Sequence, residues 1–130
     1  MHLSIVAPAP CQAAGRRLYL VCPWRKLCSL NPITHYCIVR DDLPIGAKAA
    51  QLVHAAGYSA HDPPEGTYAV VLAVPHERAL LRLHQQLEFS SIPHVLIREP
   101  DMDDQATAIG VVPCPRDQVR RLLSRLPLLR

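Results

Sequence analysis

Apolar positions recur along this chain in two rhythms, and the switches between them mark its elements. His35 to Arg40 reads as a short strand, and Pro44 to about Ser59 as a helix with proline in its first turn. At about 100° per residue, Lys48, Gln51, His54 and Tyr58 fall within an arc of about 120° on that helix. Ala49, Leu52, Val53 and Ala56 are expected to cover the opposite, buried side. His61 to Gly66 is a loop, and Thr67–Val74 is an apolar, β-branched run of the kind that forms a buried strand. A second helix is predicted from Pro75 to about Phe89, with Ala79, Leu80, Leu83 and Leu87 on one face. Val95–Arg98 and Ala106–Val112 read as further strands, and Arg116–Leu126 as a last helix burying Val119, Leu122 and Leu123. The closing run Leu126 to Arg130 is expected to fold back against the body.

The first 33 residues share neither rhythm. Pro8, Pro10, Pro23 and Pro32 interrupt them, so the reading is an irregular N-terminal extension over 1–33 and one domain over 34–130. The extension lacks the serine richness of a transit peptide, and its apolar start is too short for a secretory signal. Strands alternating with helices predict an α/β sandwich, and no internal repeat is visible.

Composition narrows the chemistry. With 130 residues, 49% of them hydrophobic, and a mean hydropathy of +0.07, the chain supports one globular domain with a modest core. No apolar run approaches the roughly 18 residues a membrane-spanning helix needs. Five irregularly spaced cysteines, without a C-x-x-C pair, read as reduced thiols in a cytoplasmic protein and offer no zinc spacing. The net charge of +3 is unevenly distributed. Residues 1–34 hold four basic side chains and no acid, whereas the remainder balances ten Lys/Arg against eleven Asp/Glu. Arg116, Arg120, Arg121, Arg125 and Arg130 gather near the C-terminus, either as favourable partners of a helix end or as phosphate contacts. Asp101, Asp103 and Asp104 form an acidic cluster.

An ordered set of motifs resembles the type II peptidyl-tRNA hydrolases. Arg40, Asp42-Leu43, Gly46, Ala49-Ala50-Gln51 and His54-Ala55-Ala56 are similar to the family's first strand and helix. Val70 to Leu80, Ile92 to Pro100 and Thr107 to Pro113 continue the likeness in family order, over about Thr34 to Arg130. The resemblance implies a three-layer α/β sandwich, with a four-stranded mixed sheet and helices on both faces. It implies an esterase that releases peptide from peptidyl-tRNA by water attack on the ester, without cofactor or metal, and it implies a homodimer. Such hydrolysis needs a positioned water, a base and donors for the developing oxyanion.

The resemblance also nominates residues, each with a plainer structural reading beside it. Lys48 is a candidate cation at the carbonyl or terminal phosphate, although a first-turn lysine is commonly solvated. His54 matches the family's histidine and would orient water, or else be a helix histidine bonded to backbone. Gln51 would hold water or ribose, or cap a neighbouring strand. Asp42 would contact substrate, or cap the helix. Glu99 stands where the family carries an acid after its third strand and is the candidate base. Thr107 would assist with its hydroxyl, or be structural. Lys48, Gln51 and His54 are expected to open together onto a cleft shared with Glu99.

Departures from the pattern lie in one loop and one turn. Typical members have a glycine-arginine-threonine-glutamine stretch where this chain has Pro100 to Gln105, and two lysines where it has Lys48 alone. Both features look like the divergent branch called peptidyl-tRNA hydrolase domain-containing proteins, and the ending Ser124 to Arg130 is similar to an uncharacterised bacterial family of related fold. The alternative function is therefore a non-catalytic binding or regulatory module. A thiol enzyme pairing Cys37 with His54 is a third reading, weakened by the apolar strand around Cys37. Gly46 stands alone, so there is no phosphate loop, and one Trp, one Phe and four Tyr argue against a base-stacking single-strand binder.

Overall fold

The computed structural model describes residues 31–130. The extension expected over 1–33 lies outside the described residues apart from its last three. The elements are β1 (Ile33–Arg40), α1 (Ile45–Ser59), β2 (Tyr68–Val74), α2 (Glu77–Phe89), β3 (His94–Glu99), β4 (Gln105–Pro115) and α3 (Arg116–Leu123). A 3-10 turn at Pro100–Met102 joins β3 to β4.

The strands form one mixed sheet in the order β2-β1-β4-β3. β1 and β2 are parallel, and β4 runs antiparallel to both β1 and β3. Side chains alternate across each strand, so β1 sends Tyr36 and Ile38 to one face and Cys37 and Val39 to the other. The first face packs on Leu80, Leu83 and Leu87 of α2 and on Val119 and Leu123 of α3. The second packs on Ala55 of α1. The architecture is therefore the three-layer α/β sandwich with helices on both faces.

Local chemistry sets the helix boundaries. α2 begins two residues later than its proline suggests, because His76 is its N-cap and accepts the Ala79 N–H on Nδ1 at 3.2 Å. α3 stops at Leu123, and the chain then turns back along the outer edge of β2. There the Ala73 N–H donates to Pro127 O at 2.9 Å and the Leu129 N–H to Val71 O at 3.1 Å.

Two expectations need correction. Thr67–Val74 is not a fully buried strand: β2 lies at the sheet edge and is exposed at Tyr68 and Ala69, buried only from Leu72 to Val74. An apolar run records hydrophobicity but not a strand's place in the sheet. In α1, Ala49 and Val53 face solvent, with Val53 at 73% exposure, and the helix instead buries Gln51, Ala55 and Ser59. The cause is Gly110 of β4, which admits the helix backbone unusually close. A Cβ there would lie 2.8 Å from Ser59 Cβ and closer still to Ala55 O and Ser59 Oγ.

Candidate functional site

Adjacent parallel strands β1 and β2 feed helices on opposite faces of the sheet. In open α/β sheets such a switch point leaves a crevice outside the strand carboxyl ends. At this end β1 delivers Arg40, Asp41 and Asp42, β2 delivers His76 and Glu77, and the β3–β4 turn delivers Glu99 to Gln105.

The buried Arg40 organises the α2 side of this end. Its Nε and Nη2 donate to the two carboxylate oxygens of Asp42 at 2.9 and 2.8 Å, and its Nη1 donates to Gln105 Oε1 at 2.9 Å and Ala106 O at 3.1 Å. Glu77 Oε1 accepts the Ala106 N–H at 2.8 Å, which ties the start of α2 to the start of β4. The hydrogen bond from Arg40 holds the Asp42 carboxyl below its ordinary value, and the same bond raises Arg40. Both oxygens of Asp42 are thus committed to Arg40, and α1 has no side-chain cap. Asp42 acts here as a buried guanidinium's partner and not as a helix cap, with its side chain 39% exposed.

The α1 side carries the free chemistry. Lys48 Nζ donates to Asp41 Oδ1 at 2.5 Å, with the lysine largely covered and the aspartate open to solvent. The first turn of α1 contains no acid and no capping side chain, so its first N–H groups are left without a side-chain partner. By alternation Glu99 shares the α1 face with Val95 and Ile97. Met102, just beyond it, packs on the same cluster as Ala47, which brings the β3 tip alongside the first turn of α1. Glu99 is half-buried and has no hydrogen-bond partner among the described residues.

The expected shared cleft does not form as drawn. Gln51 is only 5% exposed, and its Oε1 accepts the Thr107 hydroxyl at 2.8 Å. A register shift between Ile97 and Arg98 makes Thr107 the extra residue of a β-bulge, turning its fully buried side chain toward α1. Gln51 and Thr107 therefore satisfy each other inside the domain rather than facing a substrate. His54 lies on the outer flank of α1, exposed and stacked on Tyr58 at a ring separation of 6.3 Å. Lys48 stays in the first turn of α1 and Glu99 at the tip of β3, both at this end of the sheet, whereas Gln51 and Thr107 are buried and His54 is on the outer flank. Sequence reasoning missed Asp41, Arg40 and Gln105 as the partners that hold this end. Arg40 opens the family-like motif and Asp41 lies within it, but neither stood out as a partner, and Gln105 carried no signal.

The thiol reading is overturned. Cys37 lies beside His35, not His54, with Sγ 3.8 Å from Nε2, and burial pushes its thiol up to about 11. Ser59 Oγ donates to Ala55 O at 2.6 Å and accepts from His35 Nε2 at 2.8 Å, so its proton is committed to the helix. Among the described residues no group of three or more His, Cys, Asp or Glu is arranged to hold a metal ion. No helix among them is long and apolar enough to cross a membrane.

A second histidine site was invisible in the sequence. His94 Nδ1 donates to Ile92 O at 2.7 Å, leaving Nε2 to accept from His84 Nδ1 at 2.7 Å. Burial lowers His84 and also His35 from the ordinary 6.5. Below that value an unfolded chain takes up protons that the folded one resists, so acid favours unfolding. Full stability is expected above about pH 6.5, with loss as the pH falls. Thermal melts should show a lower Tm at about pH 5.5 than at about pH 7.5, and His84→Gln should flatten that slope.

The family model described as "Peptidyl-tRNA hydrolase PTH2" matches residues 33–129. No curated protein matches the sequence.

Proposed function

Because the chain belongs to the peptidyl-tRNA hydrolase PTH2 family, we propose that it hydrolyses the ester of peptidyl-tRNA in the crevice between the first turn of α1 and the tip of β3. The observation that carries this reading is the uncapped, acid-free N-terminus of α1 with Lys48 held beside it by Asp41. Uncapped N–H groups and an ammonium are the donors that a developing oxyanion requires.

In this account the ester carbonyl oxygen lies against the α1 N-terminus and Lys48. Water attacks the carbonyl carbon while the Glu99 carboxylate takes its proton. The tetrahedral oxyanion then collapses, the bond to the ribose oxygen breaks, and Glu99 passes its proton to that oxygen, which leaves as the free hydroxyl of the 3′ end. Arg40 and Asp42 position the strand ends without touching substrate. His54, on the outer flank, is not needed for the chemical step. The work is placed in the cytoplasm, where translation supplies the substrate.

The exposed acids Asp101, Asp103 and Asp104 next to Glu99 favour a second reading. Their charge opposes a phosphate backbone and suits a module that binds without turnover. Kinetics with purified peptidyl-tRNA separate the two. Glu99→Gln should lower kcat by about 10²–10⁴ with KM nearly unchanged. An unaltered kcat would remove Glu99 as the base, and no wild-type turnover at all would favour the binding module.

A further inference from the structure

A groove so far without a role lies on the opposite face of the sheet, between α3 and the exposed half of β2. Its volume is about 710 Å³, within the range of a nucleotide-sized ligand. Val70, Leu72 and Leu123 form an apolar floor, and Arg116 and Arg120, one helical turn apart on α3, form one wall. Both arginines are exposed, and neither joins an ion pair among the described residues. Two of the chain's four tyrosines meet here. Tyr68 stands at the rim with 63% of its surface open. Tyr36 is only 7% exposed, yet its hydroxyl has no hydrogen-bond partner among the described residues and is not sealed from solvent. Thr34 and Ser124 line the same groove, with the Thr34 hydroxyl donating to Pro32 O at 3.2 Å.

We propose that this groove binds a nucleoside phosphate: the phosphate between Arg116 and Arg120, the base against Tyr68, and the sugar hydroxyls toward Tyr36, Thr34 and Ser124. Each part of the groove has a use in that ligand. Paired guanidinium groups one turn apart match a phosphate's oxygens. An open tyrosine ring offers a stacking surface for any base. An unpartnered phenol with Thr34 and Ser124 in the same groove suits a ribose and has no use for a hydrocarbon chain. From Arg116 to the C-terminus, five arginines face a single acid, Asp117. The groove is separate from the α1 crevice, and the proposal does not depend on hydrolysis there. The nucleoside phosphate is either free or one unit of an RNA strand, and the two sources share the same chemistry.

Calorimetry on the full chain tests it, with uridine and adenosine monophosphates, inorganic phosphate, decanoate and a six-residue oligouridylate as probes. A monophosphate is expected to bind, and inorganic phosphate at least tenfold more weakly. Arg116→Ala with Arg120→Ala should weaken binding by about a hundredfold, roughly tenfold per charged contact. Tyr36→Phe, which keeps the ring and its packing, should weaken it severalfold. Lys48→Met should leave binding unchanged, which keeps the groove distinguishable from the crevice. Oligouridylate binding more tightly than the monomer, with a steep salt dependence, identifies RNA as the source; equal affinities identify a free nucleotide. Absence of nucleotide binding, binding indifferent to both arginine substitutions, or preference for decanoate would each overturn the proposal.

Discussion

Lys48→Met should reduce peptidyl-tRNA hydrolysis by about 10²–10³ while leaving the fold intact. Removing one preorganised donor from an oxyanion site has an effect of that size. Methionine keeps the unbranched stem that lies largely covered against the domain and removes only the charge. The stability cost should be small. The Lys48–Asp41 pair has one partner open to solvent, and such pairs contribute less than about 1 kcal/mol. The loss should appear in kcat, because in the proposed mechanism the ammonium meets charge that develops during the reaction. Asp41→Asn tests the same geometry from the other side, since it frees Lys48 without removing it and should cost less than Lys48→Met. A Lys48→Met enzyme with full kcat would move the oxyanion donors elsewhere.

Gly110→Ala should be among the most destabilising single substitutions in the domain, at about 3 kcal/mol or more. The added methyl meets Ala55 O and the Ser59 side chain, and one of these is helix backbone that no rotamer change can clear. To make room, α1 has to lift from β4, which would open the Thr107–Gln51 hydrogen bond and the Cys37, Val39 and Ala108 packing beneath it. For about 100 residues a loss of this size lowers Tm by roughly 10–20 °C. Ser59→Ala should not rescue the variant, because the Ala55 carbonyl stays in place. A shift below about 3 °C would mean that α1 does not sit so close to β4.

These two positions also mark what could be read from the chain and what could not. The strands and helices were legible because Leu80, Leu83 and Leu87 repeat at helical spacing, and because the β1 and β4 runs are apolar and bounded by turns. The family-like motif placed Lys48 at the start of a helix, and the structure keeps it there. Which face α1 buries was not legible. Alanine and valine carry too weak a signal to set a rotation, and the decisive features are a glycine 55 positions away from Ala55 and a bulge that turns Thr107 toward Gln51. A polar stripe from Lys48 to His54 therefore looked like one site, although its middle faces the sheet and its far end faces water. The arginines near the C-terminus were equally plain in the sequence. Their opposite wall was not, because Tyr36 and Tyr68 join them only through the edge position of β2.

The central claim is that hydrolysis takes place at the first turn of α1 and not along its polar flank. Its most direct test is the single-turnover release of labelled peptide from peptidyl-tRNA by the wild-type chain and by His54→Ala and Lys48→Met. The account predicts turnover that falls by less than about tenfold in His54→Ala and by about 10²–10³ in Lys48→Met. No wild-type turnover, or a loss in His54→Ala as large as that in Lys48→Met, would contradict it.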